Sequence, residues 1–257
     1  MNILAIGDIF ARCGVEHTSL VLRSILEQEN IDFCIANAEN ASGSGISLSD
    51  YDELTDAGVD FFTLGNHAFG KKDVVQLFEN EPNIIRPANF HHSNPGKGSA
   101  VVSVCGKKIG VINIMGRVGI NISLDCPFET VNRQIDALSD KCDFFVVDFH
   151  AEATSEKLAM KYYLDSRVSV LFGTHTHVQT ADEQVTGQGM GYITDLGMTG
   201  ATESILGVKK EIILSRFIKG FPQKFEYAYG RASLNGAIFT IDEKTNLCTK
   251  IKRISIV

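Results

Sequence analysis

Two histidines one residue apart, His175 and His177, follow the apolar run VSVLFG and form the first candidate for a metal site. Imidazole nitrogens are common metal ligands, but a histidine pair alone also fits an ordinary loop. The pattern gains weight because four other apolar runs also end in polar residues that can bind a metal. These residues are Asp8, Glu39 with Asn40, Asn66 with His67, and His150. Their shared position predicts one metal centre.

The types of donor atom limit the metal and the number of ions. Carboxylate and amide oxygens combined with imidazole nitrogens suit Mn, Fe or Zn, whereas Mg or Ca would take more oxygens. The eight candidate groups exceed the needs of one ion, so two divalent ions that share a bridging carboxylate are the simplest arrangement. Such pairs, about 3.5–4 Å apart, clamp phosphoryl groups and generate hydroxide near neutral pH. We therefore expect two ions per chain, with Fe or Mn favoured over Zn.

Five continuous apolar runs of strand length must position these side chains. Such runs are typical of strands buried on both faces, as in α/β proteins with mainly parallel sheets. The runs span residues 2–7, 31–38, 59–65, 143–149 and 168–173, and helical patterns cover residues 15–29, 49–57, 72–79, 127–138 and 154–165. Ligand sites of open parallel sheets form beyond the carboxyl ends of the strands. The five ends are therefore expected to meet in one crevice.

Three other stretches complete the predicted organisation. Residues 80–98 concentrate Pro, Asn and Gly, as in a long surface connection. The C-terminal segments KFEYAY, GAIFTI and CTKIKRISIV are typical of β-strands that close a sheet. Arg117 lies in a glycine-bracketed loop, where its guanidinium could meet a phosphate, although a solvated loop arginine is the commoner situation. No repeat or linker is visible, so residues 1–257 are predicted to form a single domain.

Composition and charge exclude some classes of function. A chain of 257 residues with 44% hydrophobic content can form one large core. Its net charge of −7 argues against a duplex nucleic-acid binder, which usually needs a basic face, but permits a small anionic substrate beside a metal. No apolar stretch approaches the roughly 18 residues of a membrane span, and the N-terminus lacks a signal-peptide pattern. The six scattered cysteines fit a reducing compartment, so a cytoplasmic protein without membrane contact is expected.

The order of the motifs carries a family resemblance. GD, EN, GNH, a lone His and GTHTH follow one another as in the calcineurin-like metallophosphoesterase superfamily. The strings NAEN, TLGNH, RPANF, DFHAEATSEK, GTHTHVQTAD and YITDLGMTG resemble more narrowly its bacterial YmdB-like branch. The resemblance implies a four-layer α/β/β/α metallophosphatase fold with two mixed sheets, a dinuclear site and self-association. It also implies hydrolysis of small phosphodiesters, with 2′,3′-cyclic nucleotides as plausible substrates.

The resemblance further implies a role for each candidate residue. Glu39 would bridge two ions, which would be bound by Asp8, Asn40 and His177 on one side and by Asn66, His150 and His175 on the other. Attack by a metal-bridging hydroxide would leave an alkoxide that needs a proton, and an imidazole that titrates near pH 6.5 suits this task. His67 would be this donor, with an orienting role as the alternative.

Two residues depart from the motifs of the wider superfamily, and two other functions are alternatives to the predicted phosphodiesterase. Phe10 stands where the broad D-x-H motif has histidine, and Glu39 replaces the usual bridging aspartate; the YmdB-like branch shows similar changes. A metal-stabilised regulatory or scaffold protein with little turnover is the main alternative, but the presence of His67 favours a phosphodiesterase. An amidohydrolase is disfavoured because the H-x-H motif of that fold is associated with its first strand, whereas here it comes late.

Overall fold

Strands and helices alternate along most of the chain, as the apolar runs predict. The computed structural model describes residues 1–257, and its elements follow in chain order. They are β1 (Asn2–Ile6), β2 (Asp8–Ile9), α1 (Ala11–Gln28), β3 (Phe33–Asn37), α2 (Leu48–Ala57), β4 (Phe61–Thr63), α3 (Asp73–Asn80), β5 (Ser99–Val104), β6 (Lys107–Met115), α4 (Pro127–Leu138), β7 (Phe144–His150), α5 (Thr154–Leu164), β8 (Val170–Thr174), β9 (Gln184–Val185), β10 (Gly191–Ile193), β11 (Met198–Ala201), α6 (Lys210–Lys219), β12 (Ala232–Ile241) and β13 (Cys248–Ile256).

The strands form two mixed sheets. The first has seven strands in the order β2-β11-β12-β1-β3-β4, with β13 paired to β12. Within it β1, β3 and β4 are parallel, whereas β12 runs antiparallel to β1. The second has six strands in the order β5-β6-β7-β8-β10-β9. Its four central strands are parallel, and each edge strand is antiparallel to its neighbour.

The two sheets pack face to face because their strands are apolar on both sides. Ile3 and Ala5 of β1 point to the second sheet, where they share one core with Val111 of β6 and Val146 of β7. Leu4 and Ile6, the alternate residues of β1, belong to the other core of the same sheet. Successive side chains of a strand point to opposite faces, so a continuous apolar run produces two buried faces.

Helices cover the outer face of each sheet. Leu22 of α1 and Leu54 of α2 pack in the core that includes the outward side chains of β1. On the second sheet, Val131 of α4 and Met160 of α5 pack in the core that contains Val147 of β7. The predicted four-layer α/β/β/α arrangement is therefore confirmed.

Local signals fix several helix ends. The Ser47 hydroxyl accepts a hydrogen bond from the Asp50 amide at 3.2 Å and caps the start of α2. Gly58 ends this helix in the left-handed conformation, with φ 114°. Pro127 occupies the first turn of α4, where its missing N–H removes no hydrogen bond. None of the six helices is both long enough and apolar enough to cross a membrane.

Two predictions about connecting segments need correction. The segment KFEYAY is not a strand: only Tyr227 forms an isolated bridge, to Val208. The unpredicted helix α6 precedes it, and Ile213 is the only residue of α6 that is buried. Its apolar residues Leu214, Phe217 and Ile218 are exposed, so α6 does not pack an apolar stripe on the core as surface helices usually do. Residues 80–98 do form a long connection, but Ile84, Ile85 and Arg86 within it are buried and not at the surface.

Candidate metal centre

The carboxyl ends of strands from both sheets meet at one edge of the sandwich. Asp8 begins β2, one residue beyond the end of β1, while Glu39 and Asn40 follow β3. Asn66 and His67 follow β4, and in the second sheet His150 ends β7. His175 and His177 follow β8. The structure thus places the predicted ligands where a parallel sheet collects its ligand-binding residues.

The imidazole of His150 is the centre of one group of donor atoms. Its Nε2 lies 2.9 Å from Asn66 Oδ1, 3.0 Å from His175 Nδ1 and 3.2 Å from Glu39 Oε1. One N–H can satisfy only one of these three neighbours well. The remaining oxygen and nitrogen atoms face the same small space without a hydrogen to share. This is the arrangement expected of ligand atoms directed at a cation.

A second group of donors surrounds His177. Its Nε2 lies 3.3 Å from the Asn40 amide nitrogen and 3.9 Å from Asp8 Oδ1. The Asn40 amide also donates to Glu39 Oε1 at 3.0 Å. The same oxygen of Glu39 is therefore in contact with both groups, through Asn40 on one side and His150 on the other. The seven predicted ligands form one continuous cluster.

The buried polar atoms of this cluster fit a divalent cation. Asp8 is fully buried, and its Oδ1 has no hydrogen-bond partner. His177 Nδ1 is also buried without a partner. Leaving buried polar atoms unpaired costs free energy, and a bound cation would remove this cost for Asp8 Oδ1 because it coordinates lone pairs directly. The combination of carboxylate, amide and imidazole donors is one that Mn, Fe and Zn accept.

The pKa values of three cluster residues are shifted by burial and by their neighbours. Burial raises the pKa of Glu39, but the His150 charge and the His67 amide outweigh it and bring the pKa to about 2. Burial lowers the pKa of His150, and the opposing attraction of Glu39 raises it to about 9. Burial and the neighbouring His150 charge lower the pKa of His175 to about 3. Without metal, the pair of Glu39 and His150 thus retains a proton, and metal binding would displace it because the ligand is neutral imidazole.

His67 lies beside the cluster with its side chain exposed. Its backbone N–H donates to Glu39 Oε2 at 2.8 Å, and its Nδ1 is 3.3 Å from the Ser44 hydroxyl. When the hydroxyl donates to Nδ1, the transferable proton is on Nε2. Residue 67 is therefore connected to the cluster through its backbone, while its imidazole faces solvent.

The chain matches a known family over almost its whole length. Residues 4–254 match the family described as YmdB-like protein. The chain belongs to the YmdB-like family. The resemblance seen in the sequence motifs is therefore confirmed. The strand-end motifs that carry it are the ones that form the site of this YmdB-like chain.

Several proteins are similar to this YmdB-like chain. A 2′,3′-cyclic-nucleotide 2′-phosphodiesterase of Bacillus subtilis (strain 168) is 41% identical, over 100% of this chain and 97% of that protein. The solved structure of a novel phosphatase from Mycoplasma pneumoniae has 35% identity and a TM-score of 0.93, over 100% of this chain and 93% of the other. A 5′-nucleotidase precursor from Thermus thermophilus shares only the fold, with 14% identity and a TM-score of 0.59, and this chain covers 54% of it. The YmdB-like family is thus one of phosphoric ester hydrolases.

A buried polar network behind the cluster orients His150. The ring Nδ1 lies 2.9 Å from the Thr174 hydroxyl, which donates to Asp148 at 2.7 Å. Asp148 is fully buried and also accepts from Thr63 and Asn37. Burial raises its pKa to about 6. This network fixes the ring of His150, as outer partners commonly do for histidines that bind a metal.

Sequence reasoning did not identify this network, although Asp148 offered a signal. It is a charged residue inside the apolar run FFVVDF, and a buried carboxylate needs hydrogen-bond partners. The partners could not be named because they come from three other strands. Gly65 of the GNH motif has a related role: a Cβ there would lie 2.2 Å from His150 Nε2. Only glycine leaves space for the imidazole at this position.

Arg117 lies in a loop at the rim of the cluster. The loop begins after β6, and the N–H of Gly116 donates to the carbonyl oxygen of His150 at 2.9 Å. Glu156 fixes the loop by accepting from the N–H groups of Arg117 and Val118 at 3.0 and 3.2 Å. The Arg117 side chain is exposed. The backbone of the loop is thus held in place while the guanidinium of Arg117 faces solvent.

Proposed function

We propose that this chain is a dinuclear metal-dependent phosphodiesterase that hydrolyses 2′,3′-cyclic nucleotides at the 2′ ester bond. The observation that carries the proposal is the position of Glu39 Oε1, which contacts both groups of donors, 3.0 Å from the Asn40 amide and 3.2 Å from His150 Nε2. A carboxylate in this position is suited to bridge two ions. The similarity to the Bacillus subtilis phosphodiesterase supports the substrate class.

Each group of donors would hold one ion. Asp8, Asn40 and His177 form one set, Asn66, His150 and His175 form the other, and Glu39 serves both. Two divalent ions supply Lewis acidity toward the phosphoryl oxygens and lower the pKa of water. Fe or Mn is favoured, with Zn as an alternative. The chain's own contribution is a rigid and largely buried set of ligands, whose geometry is fixed before the substrate arrives.

His67 is proposed to complete the reaction. In hydrolysis an oxygen from water bonds to phosphorus, the bond from phosphorus to the 2′ oxygen breaks, and that oxygen needs a proton. His67 is the exposed imidazole that lies beside Glu39, and Ser44 holds its Nδ1. It can therefore deliver a proton from Nε2 to the leaving oxygen. General acids of this kind typically contribute about 10²–10⁴-fold to the rate.

The proposed function is tested by metal analysis followed by an activity assay. The purified chain, loaded with Mn²⁺ or Fe²⁺, should contain about two ions and hydrolyse both bis-p-nitrophenyl phosphate and 2′,3′-cyclic AMP. Chelated protein should be inactive and regain activity when the metal is restored. Two bound ions with no hydrolysis of either diester would contradict the proposal and favour the metal-stabilised regulatory or scaffold protein.

Metal removal should lower thermal stability. A ligand that binds only the folded state stabilises it by about 2.7 kcal/mol at 100 times its dissociation constant. For a chain of this size that corresponds to a rise in melting temperature of about 5–10 °C. The effect should involve the whole fold because the ligands come from both sheets. Differential scanning calorimetry before and after chelation, with metal loss verified, measures it; an unchanged melting temperature would argue against this metal site.

Arg117→Ala tests the role of the rim loop in substrate binding. The loss of the guanidinium should raise KM for 2′,3′-cyclic AMP by about 10- to 150-fold, because a hydrogen bond to a charged group contributes about 1.5–3 kcal/mol. Metal content should stay at two ions, since Arg117 does not contact the cluster. Arg133→Ala is a matched control, because it removes an exposed arginine of α4. An unchanged KM for Arg117→Ala would show that the side chain is only solvated.

Other features of the proposed function remain predictions. The substrate is expected to be a small phosphodiester and not duplex nucleic acid, since the chain is acidic. The resemblance also implies self-association, and the exposed side chains of Phe217 and Ile218 on α6 offer an apolar surface for it. The scattered cysteines continue to favour a cytoplasmic location.

A further inference from the structure

A buried ion pair lies directly behind the loop that carries His175 and His177. Lys157 of α5 and Asp195, which follows β10, have 2% and 1% of their side chains exposed. Their Nζ and Oδ2 atoms are 2.6 Å apart. Lysine is almost never fully buried unless it is paired, and desolvation of both charges is costly. This pair has no part in the reaction described above, so its position needs another explanation.

Both members of the pair hold the backbone of the histidine loop. Lys157 Nζ donates to the carbonyl oxygen of Thr174 at 2.9 Å. Asp195 Oδ2 accepts from the N–H of Thr176 at 3.1 Å, and its Oδ1 accepts from Gly197 at 2.8 Å. The residues immediately before and after His175 are therefore both fixed by the same ion pair. Hydrogen bonds to charged groups are stronger than those between neutral groups.

The loop needs this support because its conformation is unfavourable. His175 has φ 101° and His177 has φ 63°, both in the region where a side chain clashes with the backbone. Such residues persist only when the surroundings determine their conformation. With positive φ at both histidines, both imidazoles point towards the cluster. His175 Nδ1 there contacts His150, and His177 Nε2 contacts Asn40.

The glycine of the GTHTH motif lies in a tightly packed position beside the lysine. A Cβ at Gly173 would lie 2.9 Å from Lys157 Cε and 1.9 Å from the Thr194 carbonyl oxygen. The Thr194 backbone cannot give way easily, so its close approach to the strand end explains why glycine precedes the two histidines. Lys157 packs against the same glycine on its way to Thr174.

We propose that Lys157 and Asp195 are positioning residues for metal binding by His175 and His177. This inference rests on the proposed function, because it requires that the two histidines bind metal. The ion pair fixes the loop in its strained conformation in the metal-free chain. The two histidines are therefore ordered when the chain folds, and metal binding does not have to order them. Loss of the pair should weaken metal binding even where the chain still folds.

The test compares Lys157→Met with a matched control. Methionine keeps the length of the lysine stem but removes the charge and all its hydrogen bonds. Arg86→Met is the control: Arg86 is also a buried cation, and it donates to the carbonyl oxygens of Pro87, Asn94 and Pro95 in the connection after α3. Both variants should lower the melting temperature of the metal-free chain. Only Lys157→Met should affect the metal centre.

Isothermal titration of the chelated proteins with Mn²⁺ supplies the deciding measurement. Partners that orient ligands typically change metal affinity by 10–100-fold, so Lys157→Met should raise the dissociation constant of at least one ion by this factor. Arg86→Met should keep the wild-type constants. Asp195→Asn serves as a milder second variant, because it keeps the shape and one acceptor oxygen; it should show the same direction of change if Lys157→Met does not fold.

The outcomes separate this inference from the proposed function. If wild-type protein binds no Mn²⁺, the metal centre itself is contradicted, and the positioning role falls with it. If wild type binds two ions and the folded Lys157 and Asp195 variants bind them equally tightly, the proposed function stands and the positioning role is wrong. An equal loss of affinity in Arg86→Met would also overturn the inference, because it would reduce the effect to general destabilisation.

Discussion

Glu39→Ala is expected to reduce bound metal from about two ions per chain to one or none and to abolish turnover. Glu39 Oε1 is in contact with both groups of donors. Its removal leaves His150 without the carboxylate that raises its pKa to about 9. Removing one well-placed electrostatic group commonly costs about 10²–10³ in rate, and the loss of an ion should exceed this.

Two further variants make the Glu39 result specific. Glu39→Gln retains an oxygen for the His67 amide, which now donates to Oε2 at 2.8 Å, but it lacks the negative charge. It should fold like wild type and still bind metal weakly. Asp60→Asn removes a carboxylate at the opposite end of the strands, where Asp60 accepts from the Cys34 amide, and should keep both ions.

Elemental analysis of the purified proteins, combined with the diester assay, measures these effects. Full occupancy by two ions in Glu39→Ala would rule out the bridging role. Loss of metal in Asp60→Asn to the same extent would mean that occupancy reports on the stability of the fold and not on the ligand.

The fold and the positions of the candidate ligands could be predicted because each depends on a local pattern. A continuous apolar run such as NILAIG identifies a strand buried on both faces, and parallel strands collect their following residues at one edge. Asp8, His150 and His175 could therefore be placed together without knowledge of any long-range contact. The assignment of each residue to one ion came from the family resemblance and stays a prediction.

Features that depend on long-range pairing could not be predicted in this way. Lys157 lies on a helix and Asp195 after a strand, separated by 38 residues along the chain, and either one alone would be read as a surface charge. The prediction of a strand over the segment KFEYAY was wrong for the opposite reason. Its alternating aromatics are typical of a strand, but no neighbouring strand is available to pair with it beyond the bridge at Val208.

His67→Ala is expected to keep both metals and lose turnover selectively. The contact from residue 67 to Glu39 is made by the backbone N–H, so an alanine retains it. The missing imidazole should lower kcat/KM for 2′,3′-cyclic AMP by about 10²–10⁴-fold, because a ribose alkoxide is a poor leaving group that needs a proton. p-Nitrophenolate leaves without protonation, so bis-p-nitrophenyl phosphate should lose much less.

The ratio of the two losses decides the role of His67. We would measure kcat/KM for both substrates in wild type, His67→Ala and the control His91→Ala, with metal content confirmed in each. His91 is an exposed histidine that contacts only its own loop, through Ser93, and its removal should change neither substrate. A large loss confined to the ribose substrate identifies a proton donor. Equal losses on both substrates would indicate that His67 acts by positioning or charge, and loss of an ion would make it a ligand, because a proton donor contributes only where the leaving oxygen must be protonated.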